Sequence, residues 1–291
     1  MRITGNHLIE QSAAASVRAL TKYATAATTV SSGLRVATPS DDPTAWLAAH
    51  RANLRSALVD GANQAVQYGR ERLAQTDGAL ATLQGIVSDV RMLTIQGSNA
   101  TYTPAARAEI GTQVRGLFAS ALGAVNAQAP DGEYLLAGTA SLTAPFTPTG
   151  TYVGDTTGRD VATDDTATHG ISVAGADLTA TNGVDVLPLL DRVATALTNN
   201  DVPGIQAALD DLDKAVHQVG GVRTHVDGLM QVLDDVKTAH DALHQTLATA
   251  ASHYVEADLV TAASNLAQAG QALDASQTVA AHVIAMVKPS T

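Results

Sequence analysis

Two histidines four residues apart are the side chains best spaced for metal chemistry. His240 and His244 would lie on one face of a helix, and that spacing can bind a divalent metal. A zinc protease motif also needs a glutamate directly after the first histidine, where this chain has Asp241. His240 also falls in an apolar seam, so we interpret it as a packed or solvent-edge residue. We therefore predict no metal site and no cofactor.

Adjacent carboxylates are the other groups that could do acid or base chemistry. They occur as Asp164-Asp165, Asp210-Asp211 and Asp234-Asp235. Neighbours on a helix point about 100° apart and cannot easily share a proton or a metal, so these pairs indicate solvated faces. The sequence has no glycine-rich phosphate loop, no nucleophile elbow and no cysteine. We predict that the chain is not an enzyme.

An apolar seam runs through the last seventy residues. From Leu229 to Tyr254 its members alternate in steps of four and three, as in a coiled coil; the seam slips by a step of five and then continues from Leu259. We predict one long helix from Val222 to Val287 with a discontinuity at residues 255–258, where the partner changes. The seam residues expected at an assembly interface are Leu259, Leu266, Leu273, Ala280, Val283 and Val287.

A matching seam begins the chain. Its predicted interface residues are Ile9, Ala13, Leu20, Tyr23, Ala27, Val30 and Leu34. This seam, which also contains Ser16, is rich in alanine and hydroxyl side chains, so an isolated helix would bury little apolar area against its ordering cost. We predict that residues 1–34 and the C-terminal end are poorly ordered in a free monomer and become paired helices on assembly.

The residues between these seams supply a connector, further helices and a strand-like stretch. Pro43 follows the capping residues Asp41 and Asp42, and predicts the start of a helix that runs to about Gln96. A third helix follows Pro104. Residues 139–181 hold twelve threonines with no helical period, and short runs at 133–137, 151–153 and 171–173 predict strands. Helical patterns return after residue 185, and Gly220-Gly221 precedes the final helix.

The predicted fold class is mainly α, a long antiparallel helical coiled-coil rod built from the N- and C-terminal segments, with a small β-rich domain inserted mid-chain. The predicted divisions are an N-terminal assembly helix and connector, the N-terminal part of a helical shaft, the β-rich insertion, the C-terminal part of the shaft and a C-terminal assembly helix. Their bounds are 1–40, 41–132, 133–184, 185–255 and 256–291.

Charge and hydropathy bear on the partners. The net charge is −11, and residues 129–291 carry 20 acidic but only 6 basic side chains, which disfavours nucleic acid and anionic lipid as partners of that half. No apolar run of about 18 residues and no signal peptide is found. We expect no nucleic-acid or membrane partner, and export, if it occurs, without a cleaved signal.

Several short motifs resemble one family. They are Met1-Arg2-Ile3-Thr4, Ser31-Ser32-Gly33-Leu34-Arg35-Val36, Pro39-Ser40-Asp41-Asp42-Pro43, Tyr134-Leu135-Leu136-Ala137-Gly138-Thr139 with Ala144-Pro145-Phe146, Tyr152-Val153-Gly154-Asp155, Val219-Gly220-Gly221-Val222-Arg223, and Glu256-Ala257-Asp258-Leu259 with the helix after it. In this order they resemble bacterial flagellins and hook-associated proteins. The Met-Arg-Ile opening and Pro39 before Ser40-Asp41-Asp42-Pro43 resemble the hook-associated protein 3 family, the junction proteins between hook and filament, more than flagellin.

This resemblance implies assembly rather than chemistry. It implies export through the flagellar type III channel with an export chaperone, an extracellular location in the bacterial flagellum, and self-assembly between hook-associated protein 1 and flagellin. Flagellin itself is an alternative, because the sequence Ser32-Gly33-Leu34-Arg35 resembles flagellin at this position and the C-terminal residues Met286-Val287-Lys288-Pro289 form no distinctive tail. A coiled-coil signalling or tethering protein is an alternative of another class.

Overall fold

The computed structural model describes residues 5–164 and 167–287. The opening Met1-Arg2-Ile3-Thr4 motif, Asp165 of one carboxylate pair and the side chain of Val287 lie outside the described residues. The described residues form six α-helices, which confirms a mainly α fold. They are α1 (Gly5–Ser32), α2 (Pro43–Ser98), α3 (Pro104–Val125), α4 (Val186–Thr198), α5 (Val202–Val255) and α6 (Leu259–Val287).

The chain divides into two compact units. The first unit comprises the described residues up to Leu58 and from Leu243 onward, and the second comprises Val59–Ala242. Helices α2 and α5 each contribute residues to both units.

Helix starts follow the capping residues that the sequence shows. Asp42 Oδ1 accepts a hydrogen bond from the Ala45 amide at 3.0 Å where α2 begins at Pro43. Thr103 caps α3 in the same way through the Ala106 amide, just before Pro104. A side-chain acceptor satisfies an amide that has no partner within the helix, and proline needs no amide bond there. The predicted start of α2 is confirmed.

The long C-terminal helix predicted from Val222 to Val287 is wrong in two respects. Helix α5 begins earlier, at Val202, and continues through Gly220-Gly221, while the chain leaves the helical path between Val255 and Leu259. The two glycines do not break α5 because a helix tolerates glycine at a modest cost when its flanks are well packed, and Val219 and Val222 are both buried. The predicted slip in the seam therefore corresponds to a helix end.

The second unit has a core of large aliphatic side chains. Its fully buried members are Leu73, Leu80, Leu83, Leu136, Leu178, Leu187, Leu189, Leu190, Leu197, Ile205, Leu212 and Leu233. Helix α3 packs closely on α4, because a Cβ at Gly111 would lie within 3 Å of the Ala194 carbonyl oxygen and of Thr198. Burying leucines of this kind stabilises a fold by about 1.5–3 kcal/mol each.

Polar side chains fix the register of α2 against α5 in the second unit. They recur at intervals of seven residues on α2, as coiled-coil positions do. The pairs are Asn63 with His240, Arg70 with Asp234, Asp77 with Arg223, Gln84 with Arg223, and Arg91 with Asp213. Residue numbers fall on α5 as they rise on α2, so these segments are antiparallel. His240 is half-buried, with Nδ1 2.9 Å from Asn63 Oδ1, consistent with a packed seam residue.

The segment predicted to be β-rich contains, among its described residues, two strands of three residues each. Strand β1 (Asp160–Ala162) pairs antiparallel with β2 (Thr168–Gly170), with Val161 opposite His169. The runs at 133–137, 151–153 and 171–173 form isolated bridges or loops instead. Threonine hydroxyls account for part of this difference, because Thr147 Oγ1 accepts the Thr151 amide and thereby closes a local turn.

Tyr152 and Asp155 hold this irregular segment together. The single hydrogen of the Tyr152 hydroxyl is shared between the carbonyl oxygens of Asp155 (2.5 Å) and Leu136 (3.2 Å), and burial raises the pKa of Tyr152 to about 12. The Asp155 carboxylate accepts hydrogen bonds from the Thr139 hydroxyl and the Thr157 amide. These bonds join two distant turns without a continuous sheet.

Replacing Gly138 by alanine is expected to destabilise the second unit by about 2–4 kcal/mol. Gly138 has φ +67°, and an added Cβ would lie 2.4 Å from the Asp155 carbonyl oxygen. Gly132 is the matched control: its φ is +84°, but no atom lies within 4 Å of an added Cβ. Urea unfolding should therefore show a cost of only about 1 kcal/mol for Gly132→Ala. Equal losses in the two variants would contradict the close approach at Gly138.

The stability of this segment should depend on pH through Asp155. Hydrogen bonds from Thr139 and Thr157 hold the pKa of Asp155 below its ordinary value of 3.8. Because its pKa is lowered on folding, ionised Asp155 stabilises the folded state above pH 3.8. This stabilisation is lost as the pH falls through the lower pKa of the folded state. We expect the urea midpoint of Asp155→Asn to fall less steeply than that of the parent below about pH 4. Parallel profiles would show that Asp155 has no lowered pKa.

Candidate assembly site at the paired terminal helices

Helices α1 and α6 pack side by side in the first unit, with opposite directions. The Ser16 hydroxyl lies 3.4 Å from the Ser276 carbonyl oxygen, and the ring of Tyr23 lies beside Gly270. Leu34 forms an antiparallel bridge with Glu256. Because partner numbers fall along α6 as they rise along α1, the two helices are antiparallel. The two seams predicted at opposite ends of the chain thus meet within one chain.

The predicted interface residues fall into two groups in this pair. Ile9, Ala27, Val30, Leu34, Leu266, Leu273, Ala280 and Val283 are half-buried. Ala13, Leu20, Tyr23 and Leu259 are exposed, and the side chain of Val287 lies outside the described residues. The pair therefore half-buries eight of the predicted residues, and Tyr23 lies beside Gly270 although it is exposed. A role for the whole set in contacts between copies stays a prediction.

The first unit buries very little by itself. Its buried residues, within the described chain, are Val36, Ala45, Ala49, Ala251 and Ala262. No described residue of α1 is fully buried. Several large apolar side chains of α1 and α6 remain open to solvent, including Val17 (62% exposed), Val260 (80%) and Val279 (57%). Exposed apolar surface on a pair of packed helices is typical of a surface that another molecule covers.

Backbone hydrogen bonds fasten the two helix connections of this unit to each other. The amides of Arg35 and Val36 donate to the Val255 carbonyl at 2.7 and 3.2 Å, and the Ala257 amide donates to the Gly33 carbonyl at 2.8 Å. The Arg35 guanidinium also donates to the Tyr254 carbonyl at 2.7 Å. Gly33 ends α1 with φ +70°, a conformation that glycine adopts without strain. We call this set the connector clip.

The clip is the part of the site that the seam pattern did not predict. Val36 and Arg35 lie outside both seams, and their partners are more than 200 residues away in the chain. The sequence pointed to the clip only through two interruptions, the non-helical stretch at 33–43 and the seam slip at 255–258. When two helices pair in opposite directions, interruptions that follow one helix and precede the other lie side by side.

Acidic caps stabilise both connections. The Asp41 carboxylate accepts hydrogen bonds from the Thr38 and Ala37 amides, and these bonds lower the pKa of Asp41. At the start of α6, the Asp258 carboxylate accepts hydrogen bonds from the Thr261 hydroxyl and the Val260 amide. Both bonds lower the pKa of Asp258, and the bond from Thr261 has the larger effect. A carboxylate at a helix start also interacts favourably with the helix dipole.

Among the described residues, no group of three or more potential metal-binding side chains occurs. No helix within residues 5–164 and 167–287 is both long and apolar enough to cross a bilayer. The surfaces that stand out in the first unit are the faces of α1 and α6.

Comparisons with known proteins bear out the resemblance to flagellins and hook-associated proteins. Residues 6–141 match the family model of the bacterial flagellin N-terminal helical region. A segment of 126 residues is 29% identical to flagellar hook-associated protein 3 of Escherichia coli. That segment covers 43% of this chain and 40% of the relative, so the match spans less than half the relative's length.

Solved structures share the fold. A flagellar hook-associated protein from Vibrio parahaemolyticus matches with a TM-score of 0.69 at 21% identity, over 74% of this chain and all of that chain. FlgL from Bacillus cereus matches at 0.60 and 18% identity, over 68% and 97% of the two chains. Hook-associated protein 3 from Legionella pneumophila matches at 0.61 and 12% identity, over 69% and 97%.

Proposed function

We propose that this chain is a structural protein of the bacterial flagellum, the junction adaptor between hook and filament. It polymerises through its paired terminal helices, outside the cell, with hook-associated protein 1 on one side and flagellin on the other. An export chaperone holds its C-terminal helix before export through the type III channel. The observation that carries the assembly mechanism is the α1/α6 pair, which leaves large apolar side chains exposed beside a small core.

Burial explains why assembly and ordering of the ends would be one event. The buried set of the first unit is four alanines and one valine, whereas the second unit buries more than ten leucines and isoleucines. Apolar burial stabilises by about 25 cal/mol per Å², so the first unit gains little until other copies cover it. Binding of copies to the paired state then stabilises that state by mass action.

Limited proteolysis of the purified monomer tests this coupling. We expect both ends to be trimmed rapidly to a stable core of roughly residues 40–255, because sparsely buried elements open most easily. A chain that resists trimming at both ends would instead fit a preformed coiled-coil dimer, as a signalling or tethering protein would form. Polymerised protein should be protected along its whole length.

Flagellin, the filament subunit, is the second candidate, because the matching family model is that of the flagellin N-terminal region. Labelling the protein in flagellated cells separates the two. A junction adaptor gives one spot at the base of each filament, where the hook ends. Label along the whole filament would overturn the adaptor proposal and establish the filament subunit.

A further inference from the structure

One side of the α1/α6 pair carries a groove. Its volume is about 540 Å³, and the residues that line it are Val17, Arg18, Thr21, Lys22, Thr25, Ala26 and Thr29 of α1 with Ala262 and Asn265 of α6. The hydroxyls of Thr21, Thr25 and Thr29 bond to carbonyl oxygens one turn earlier in α1, at 2.9–3.1 Å. Because these hydroxyls are already satisfied, the threonines offer mainly their methyl groups to the groove.

Two cations line this otherwise apolar groove. Arg18 and Lys22 are the only lysine or arginine residues of α1, both are exposed, and neither forms an ion pair with any described residue. Their charge is therefore available to an anion from another molecule. The groove thus combines apolar surface with positive charge.

The complementary charge lies on the other helix of the pair. Asp274 is the only carboxylate of α6, is exposed, and likewise forms no ion pair within the described residues. One turn away on the same face of α6 lie Gly270, Gln271, Gln277 and Thr278, and two turns away lie Ala267 and Ala281. The glycine and the alanines leave room for close approach to a groove, and the glutamines add polar side chains around the carboxylate.

Arg18 and Asp274 lie at the same height along the pair. Ser16 lies beside Ser276 and Tyr23 beside Gly270, so the level of Arg18 on α1 corresponds to residues 274–275 on α6. They nevertheless point to different sides. At about 100° per residue, Asp274 is turned by about 100° from the α1-facing Leu273, whereas the groove residue Asn265 is turned about 80° in the opposite sense.

We propose that the groove receives α6 of a second copy of this chain, with the Asp274 carboxylate of that copy between Arg18 and Lys22. Charge complementarity carries this assignment, because the unpaired cations and the unpaired carboxylate occupy opposite sides of one pair at one height. The contact is head to tail: each copy offers its groove to one neighbour and its Asp274 face to the other. Repeated contacts of that kind generate a ring or a helix. The inference rests on the proposed self-assembly and names the contact through which neighbours meet.

Disulfide trapping tests the contact, since the chain contains no cysteine. A tagged chain with Lys22→Cys and an untagged chain with Asp274→Cys are co-expressed in cells that lack the parent protein, and isolated flagella are oxidised. We expect mixed dimers in excess over dimers of like chains. The control replaces Lys22→Cys by Lys214→Cys, an exposed lysine of the second unit, and should give only background. Mixed dimers no more abundant than in the control would overturn the contact.

Charge reversal provides a second test with its own control. Arg18→Glu with Lys22→Glu, or Asp274→Lys alone, should weaken each contact about fivefold, because an attraction becomes a repulsion. Each reversal by itself should therefore reduce swimming. Combining the reversals in one chain restores opposite charges and should restore swimming. A fluorescent label on the cysteine-bearing chains, whose charges are not reversed, separates the outcomes. Label at the filament base without mixed dimers contradicts only this contact, whereas no label on the flagellum contradicts the assembly function as well.

Discussion

A chain with Leu266→Asp and Leu273→Asp is expected to reach the cell exterior but not to assemble. Both leucines are half-buried on the α6 face that meets α1, on the same side as Ser276. Placing a carboxylate against an apolar surface costs several kcal/mol unless it finds a partner. The helix pair should therefore not form, and swimming cells should decrease at least about tenfold.

The measurement needs to separate assembly from folding and export. Culture supernatants report export, and thermal unfolding of the purified variant reports the second unit, whose core lies between residues 59 and 242. The total exported protein, in supernatant and flagella together, and the unfolding midpoint should match those of the parent protein. The control Leu142→Asp with Val153→Asp adds the same charge at side chains that are 82% and 55% exposed, and should swim normally. A swimming Leu266→Asp, Leu273→Asp chain would show that the α1/α6 face is not needed for assembly.

Replacing Glu133 by alanine is expected to lower the free energy of unfolding by about 3–5 kcal/mol. Arg72 is only 2% exposed, and its guanidinium pairs with Glu133 at 3.2 Å and donates to the Tyr134 carbonyl at 3.0 Å. Arg159 reaches the same carboxylate. Removing the carboxylate leaves a buried cation without its counter-ion, and a charge in that position is costly.

The control for this prediction is removal of the more exposed cation. Arg159 is 30% exposed, so Arg159→Ala should cost only about 1 kcal/mol in urea unfolding, as exposed ion pairs do. An apolar replacement of both partners, Arg72→Met with Glu133→Leu, should recover most of the loss, because no charge then remains buried. Equal losses in Glu133→Ala and Arg159→Ala would show that burial of Arg72 does not govern the effect.

Much of the local structure was predictable, because the features that set it are contained in a few neighbouring residues. The Asp42-Pro43 and Thr103-Pro104 pairs predicted helix starts, and the apolar spacing predicted that both chain ends are helical. The threonine-rich stretch was harder to predict. Its residues have strand propensity, but their hydroxyls bond to nearby backbone and form turns in place of sheet ladders.

By itself, the sequence determined which segments are helical, where the seam shifts, and that both ends carry seams too poor in large side chains to form a core. The tertiary structure decided the rest: the end of α5 at Val255, the connector clip, the buried Arg72, and the placement of Arg18 and Asp274 at one height on opposite sides. These features depend on contacts between residues up to 260 positions apart in the chain. Helical periodicity and capping act over a few residues, whereas the register of an antiparallel pair is set only when distant segments pack together.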